Sequence, residues 1–161
     1  MKLLKEHRRK ALCLLWVLLI ANMAAIWLLS AKTAEESTVQ SDKIVAAPKA
    51  VIEAVKPERA DDKDVYIVLQ FAVRKTAHVL EFAALAVWAV GLALMYGLKL
   101  PYLLGAAFSA LWGAADELHQ YFVPGREAKG TDFLFDTLGA ALAAAVMWLV
   151  IRALRRRAPE H

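Results

Sequence analysis

Apolar residues in this chain come in long blocks rather than in scattered periodic stripes. Residues 11–30, 77–96 and 134–151 run with almost no charge at their centres, and a fourth block, 100–122, stays apolar until its last turns. A helix rises about 1.5 Å per residue, so about twenty residues cross the roughly 30 Å hydrocarbon core of a bilayer. The pattern predicts an all-α, polytopic membrane protein with transmembrane helices at 11–30 and at about 77–98, 100–122 and 133–151, four in all. The first block has the basic start and small following residues, Ser30 and Ala31, of a cleaved signal peptide. It is longer than the roughly 7–15 residues of such an apolar region, so a retained signal anchor is expected. Residues 31–64 are rich in Lys, Glu, Asp, Ala and Ser, hold Pro48 and Pro57, and show little apolar periodicity. Such a stretch buries too little surface to offset its ordering entropy, which predicts a mobile extracytoplasmic tether. Val65 to Phe71 is apolar but short; it either lies at the interface or prolongs the second span.

Composition agrees with the blocks: 60% of the 161 residues are hydrophobic and 22% charged. That excludes an ordinary soluble enzyme, a nucleic-acid-binding domain and a disulfide-stapled secreted module. The single cysteine, Cys13, lies inside the first block and reads as a small packing residue. The net charge of +4 comes mainly from the two ends, Lys2, Lys5, Arg8, Arg9 and Lys10 within 1–10, and Arg152, Arg155, Arg156 and Arg157 within 152–161. Four spans divide the Lys and Arg residues evenly, so their number does not orient the chain. Their placement does, because five basics sit tight against the first span while the tether dilutes its six among eight acids. Both basic ends are then expected in the cytoplasm. Trp27 and Tyr121 would mark the outer interface, and Tyr96, Tyr102 and Trp148 the inner one.

With that orientation the polar residues of three helices fall at one level, near the outer surface. The first turns of the second span carry His78 and Glu81, with Arg74 and Lys75 just before it, the third ends with Asp116, Glu117, His119 and Gln120, and the fourth opens with Asp132 and Asp136. Ionisable groups at membrane depth cost a few kcal/mol each and persist chiefly where they face a cavity or one another. Arg74, His78, Glu81 and Leu85 form one stripe on their helix, at steps of four, three and four. Gly105, Ser109 and Gly113 repeat every four residues, a seam that admits a neighbouring helix, and Asp116, Glu117 and Gln120 continue it. Asp136 leads a matching line through Ala140 to Ala144, beside Gly139. Pro124-Gly125 turns the chain between the last two spans, which lets Arg126 fold back toward Asp116, Glu117, Asp132 or Asp136.

The run Arg74-Lys75-x-x-His78-x-x-Glu81-Phe82, then Asp116-Glu117-x-His119-Gln120-x-Phe122-x-Pro124-Gly125-Arg126, then Asp132 and Asp136-Thr137-x-Gly139-Ala140, closely resembles the VanZ-like membrane proteins. The resemblance extends from Val73 to about Val150. Asp136 stands where many members carry asparagine, which adds an acid to the cluster. What the resemblance implies is a multi-pass protein of the bacterial cytoplasmic membrane, in a family named for resistance to the glycopeptide teicoplanin. It does not supply a biochemical activity.

Three functions stay open. The first is an outward site for a cell-envelope amphiphile, a lipid-linked wall precursor or an acylated glycopeptide, with Arg74, Lys75 and Arg126 on phosphate or carboxylate and with His78, Glu81, Asp116, Glu117, His119, Gln120, Asp132 and Asp136 on the polar head. The second is an intramembrane hydrolase or transferase with catalytic candidates His78, Glu81, Asp116, Glu117, His119 and Asp136. The i, i+3 pairs His78–Glu81 and Asp116–His119 would also suit a divalent metal. No zincin motif, nucleophile elbow or catalytic cysteine accompanies them. The third is an interhelical ion-pair network that only locks the bundle. Membrane lipids are partners under each of them, and nucleic acid under none.

Overall fold

The computed structural model describes residues 2–59, 62–126 and 130–157. Five α-helices follow one another: α1 Lys2–Ser30, α2 Ala34–Val55, α3 Lys63–Met95, α4 Pro101–Tyr121 and α5 Gly130–Arg157, with a 3-10 turn at Pro57–Arg59 between α2 and α3. α3, α4 and α5 pack mutually and form the centre, while α1 leans on α3 and α4, and α2 on α3. α3 ends in a Schellman motif, in which Leu98 N–H donates to Ala93 O and Gly97 N–H to Leu94 O, with Gly97 at φ 71°. Pro101 then starts α4 at a position where its missing N–H costs nothing.

Small residues set how closely the three central helices approach. Gly105, Ser109 and Gly113 of α4 and Gly139, Ala140 and Ala144 of α5 are all buried. A Cβ on Gly105 would lie 2.7 Å from the Val90 nitrogen, and one on Gly139 would lie 2.3 Å from the Val79 oxygen. Backbone therefore meets backbone on both sides of α3. Where the backbones touch, the Ser109 hydroxyl donates to Phe82 O at 2.9 Å. α1 adds an apolar seam in which Leu19 and Ile26 join Phe82, Leu85, Ala89 and Leu92, with Trp88 and Trp112 packed against them. At the far end Arg8 Nη2 donates to Met95 O at 2.8 Å and Trp16 Nε1 to the Tyr96 hydroxyl at 3.1 Å.

The distribution of polarity is inverted relative to a water-soluble bundle. Leu103, Leu111, Leu118, Leu134, Leu138 and Leu142 are exposed, while Asp116, Glu117, Gln120 and Asp136 are buried. Only an apolar solvent makes that arrangement favourable. α1, α3 and α5 are each long and apolar enough to cross a bilayer. The protein is a helical membrane protein. α4 is not among those three helices, because Asp116 and Glu117 fall inside it, yet its charged face is covered by the bundle.

Several expectations need correction. The stretch 31–64, expected to be a mobile tether, holds a helix, α2. A capping box starts it, with the Glu36 N–H on the Thr33 hydroxyl and the Thr33 N–H on the Glu36 carboxylate at 2.8 Å. Its contacts with α3 are polar, Ser41 to Gln70 at 2.5 Å and Tyr66 to Asp42 at 2.7 Å, so a search for apolar periodicity does not see them. Val65 to Phe71 lies within α3 and prolongs it, one of the two alternatives expected for it. The basic ends are helical as well, since α1 begins at Lys2 and α5 runs to Arg157. Cys13 is exposed on α1 rather than packed. Gly139→Ala is expected to lower stability by about 1–3 kcal/mol by forcing α5 off the Val79 carbonyl, whereas Gly130→Ala, with open space around it, changes little; thermal unfolding in detergent compares them.

Candidate functional site

Two fully buried aspartates form the floor of the site. Asp116 of α4 is 0% exposed and accepts from the Ser30 hydroxyl at 2.8 Å and from the Gln120 amide at 2.7 Å, both on Oδ2. Gln120 passes the chain on, because its Oε1 accepts from Arg126 Nη1 at 3.3 Å, and Arg126 Nε donates to Lys32 O at 3.0 Å. The end of α1, the end of α4 and the loop after it are thereby tied together. Asp136 of α5, also 0% exposed, lies 3.0 Å from Nδ1 of His78 on α3. The other oxygen of each aspartate, Asp116 Oδ1 and Asp136 Oδ2, is buried without a hydrogen-bond partner. Glu81, one turn further along α3, is within electrostatic reach of both aspartates.

Above this floor opens a cavity of about 520 Å³, walled by the end of α1, by α2, by α3 and by the start of α5. Arg74, Lys75, His78, Glu81, Arg126 and Asp132 all line it, together with the apolar side chains of Leu29, Ile44, Ile67 and Phe71. Lys75 is neutralised by Asp132 across the α3–α5 boundary. The two arginines are not so paired: among the described residues no carboxylate lies within ion-pair distance of either. Arg74 donates from Nη2 to Thr38 Oγ1 at 2.5 Å, and its Nε is buried with no partner. Burial first and the Arg74 charge second pull the Arg126 pKa below its ordinary value, against the opposing pull of Asp116, Asp132 and Glu117. Two guanidiniums thus repel each other inside one partly enclosed space.

Most of the residues expected at the site do converge. Arg74, Lys75, His78, Glu81, Arg126 and Asp132 line the cavity, with Asp136, Asp116 and Gln120 bonded directly beneath or beside it. Glu117 is buried and within electrostatic reach of Arg126. His119 is turned away: its ring stacks on Trp27 of α1, centroids 4.0 Å apart and planes 13° from parallel. Among the described residues no three His, Cys, Asp or Glu side chains converge as metal ligands. Arg126 folds back as expected, within electrostatic reach of Asp116, Asp132 and Glu117, and hydrogen-bonds to Lys32 O and Gln120. Thr131 and Asp132 sit inside the first turn of α5, which begins at Gly130, and their side chains bond each other at 3.1 Å.

The sequence reading missed Ser30, Thr38, Ser41 and Gln70. Gln70 had a signal, since it continues the Arg74–His78 step of four outward and is the one polar residue in an otherwise apolar run. Thr38, Ser41 and Asp42 repeat at helical spacing on α2, a polar stripe that matches it. Ser30 closes the first apolar block and reads as a cleavage-site residue until its hydroxyl is seen on Asp116.

A bundle with lipid-facing leucines outside and a charged, partly enclosed cavity at one end defines a helical membrane protein with an internal polar site. The family model described as VanZ/LLP1 matches residues 15–152, and the chain belongs to that family. The match takes in α1 and α2, which contribute Ser30, Thr38 and Ser41 to the site. Comparison with curated proteins and with solved structures gives no match. Asp116→Ala strands the Ser30 hydroxyl and the Gln120 amide and is expected to lower stability by about 1–3 kcal/mol, while Asp116→Asn keeps an acceptor and loses less; thermal unfolding of the two variants checks this.

Proposed function

We propose that this protein binds the anionic head of a cell-envelope amphiphile in the cavity between α1, α2, α3 and α5. The observation that carries the reading is the pair Arg74 and Arg126, which line one cavity and, among the described residues, have no carboxylate within ion-pair distance. A bundle built only for stability has no use for that arrangement, because two repelling guanidiniums cost energy until an anion joins them. A planar guanidinium fork suits phosphate and carboxylate alike. The apolar side chains of Leu29, Ile44, Ile67 and Phe71 on the same walls offer contact to an attached acyl or prenyl chain. Lys75 has the simpler role of joining α3 to α5 through Asp132.

In this reading α4 crosses the membrane with α1, α3 and α5, shielded by them, and the bundle sits in the bacterial cytoplasmic membrane. The basics crowded in the first turns of α1 and at the end of α5 support two cytoplasmic ends, which turns the cavity toward the outer surface. There the lipid-linked precursors of the wall present phosphates, and an acylated glycopeptide such as teicoplanin presents a carboxylate above its buried tail. Resistance to that antibiotic would follow if the cavity held either of them. The test is direct binding of phosphatidic acid, undecaprenyl phosphate, lipid II and teicoplanin to the purified chain in nanodiscs. Arg74→Gln and Arg126→Gln are each expected to weaken binding about 10- to 100-fold, the loss of one charge-assisted contact. No measurable affinity for any of the four overturns the reading.

A further inference from the structure

Behind the arginines the cavity wall carries a buried carboxylate and an imidazole in an arrangement that binding alone does not require. Asp136 Oδ1 lies 3.0 Å from His78 Nδ1, inside the protein. With that carboxylate ionised and the imidazole neutral, Nδ1 is the donor, and the lone pair of His78 is on Nε2. Among the described residues no hydrogen bond holds Nε2, and His78 itself lines the cavity. Arg74 precedes His78 by four residues on the same face of α3, one helical turn nearer the opening. An anion gripped by Arg74 is therefore held one turn from the imidazole. The other titratable groups facing His78 are Glu81 of its own helix and Asp132 of α5.

We infer that the cavity hydrolyses phosphomonoesters of membrane lipids, with His78 as the acid–base catalytic residue, Asp136 as its positioning residue, and Arg74 and Arg126 holding the phosphoryl group. This rests on the binding reading above. Two guanidiniums on one cavity match the two charges of a phosphomonoester head, and the apolar wall takes the chain that bears it. Among the described residues no serine, threonine or cysteine hydrogen-bonds His78, which leaves water as the nucleophile. Water loses a proton to His78 Nε2 as its oxygen bonds to phosphorus. The ester P–O bond breaks, and the imidazolium returns that proton to the departing alkoxide, so that the products are a lipid alcohol and inorganic phosphate. Charge developing on the phosphoryl oxygens is met by the two guanidiniums.

The test uses the full chain in phosphatidylcholine nanodiscs carrying phosphatidic acid, with soluble glycerol 3-phosphate as a second arm, and reads both lipid binding and release of inorganic phosphate. Wild-type protein is expected to release phosphate from the lipid and little from the soluble ester. His78→Gln is expected to lower kcat by about 10²- to 10⁴-fold with lipid affinity retained. Asp136→Asn keeps a side chain of the same shape against Nδ1 and is expected to lower kcat with KM little changed, a split that a merely structural role would not produce. It also serves as the second variant if His78→Gln fails to fold. Bound phosphatidic acid with no release, release that survives both substitutions, or equal turnover of both arms overturns the hydrolytic assignment while leaving the binding site standing. Absence of phosphatidic acid binding and release together overturns this proposal at its foundation.

Discussion

Asp116 and Asp136 sit where neither water nor lipid reaches them, and the architecture answers to that fact. A carboxylate in an apolar solvent must find its hydrogen bonds within the protein. For Asp116 they come from Ser30 on another helix and Gln120 on its own, and for Asp136 from His78 across the α3–α5 boundary. Such bonds form only if the helices approach until backbones touch. The glycines at 105 and 139 let α4 and α5 do so against α3. Close packing and polar satisfaction are therefore one requirement met twice along the same seams.

The cavity follows from where that packing stops. α3 runs for 33 residues, while α4 has 21, so the first turns of α3 extend past the end of the tightly packed centre. α2 folds back along this extension through Ser41, Asp42 and Thr38 and closes part of the gap with polar contacts. The space that remains is walled by three cations and floored by acids. One cation, Lys75, is matched by Asp132; among the described residues the other two hydrogen-bond to backbone and neutral side chains.

How much of this could be read in the sequence depended on whether the signal was periodic and apolar. The apolar blocks, the Gly105–Ser109–Gly113 seam and the Asp136–Ala140–Ala144 line gave both the helices and their inward faces, because membrane burial leaves a simple trace of small residues beside rare charges. The convergence of Arg74, His78, Asp132 and Asp136 followed from it. α2 was illegible by the same criterion, since it is held by hydroxyls and amides on α3 and carries Pro48 in its interior. His119 shows the limit of spacing arguments: it lies three residues from Asp116, yet its ring stacks on Trp27, a partner supplied by α1 from ninety-two positions earlier, which no local pattern announces.

The central claim is that the polar face of α3 looks into a watery cavity while its neighbouring face looks into lipid. Spin labels at Ala77→Cys, on the cavity wall, and Leu80→Cys, on the exposed apolar side, test it in bilayers through their access to a water-soluble nickel complex and to oxygen. The account predicts that the label at 77 responds chiefly to nickel and the label at 80 to oxygen. A label at 77 that meets oxygen as readily as the one at 80 would place the arginines and His78 of α3 toward acyl chains and contradict the account.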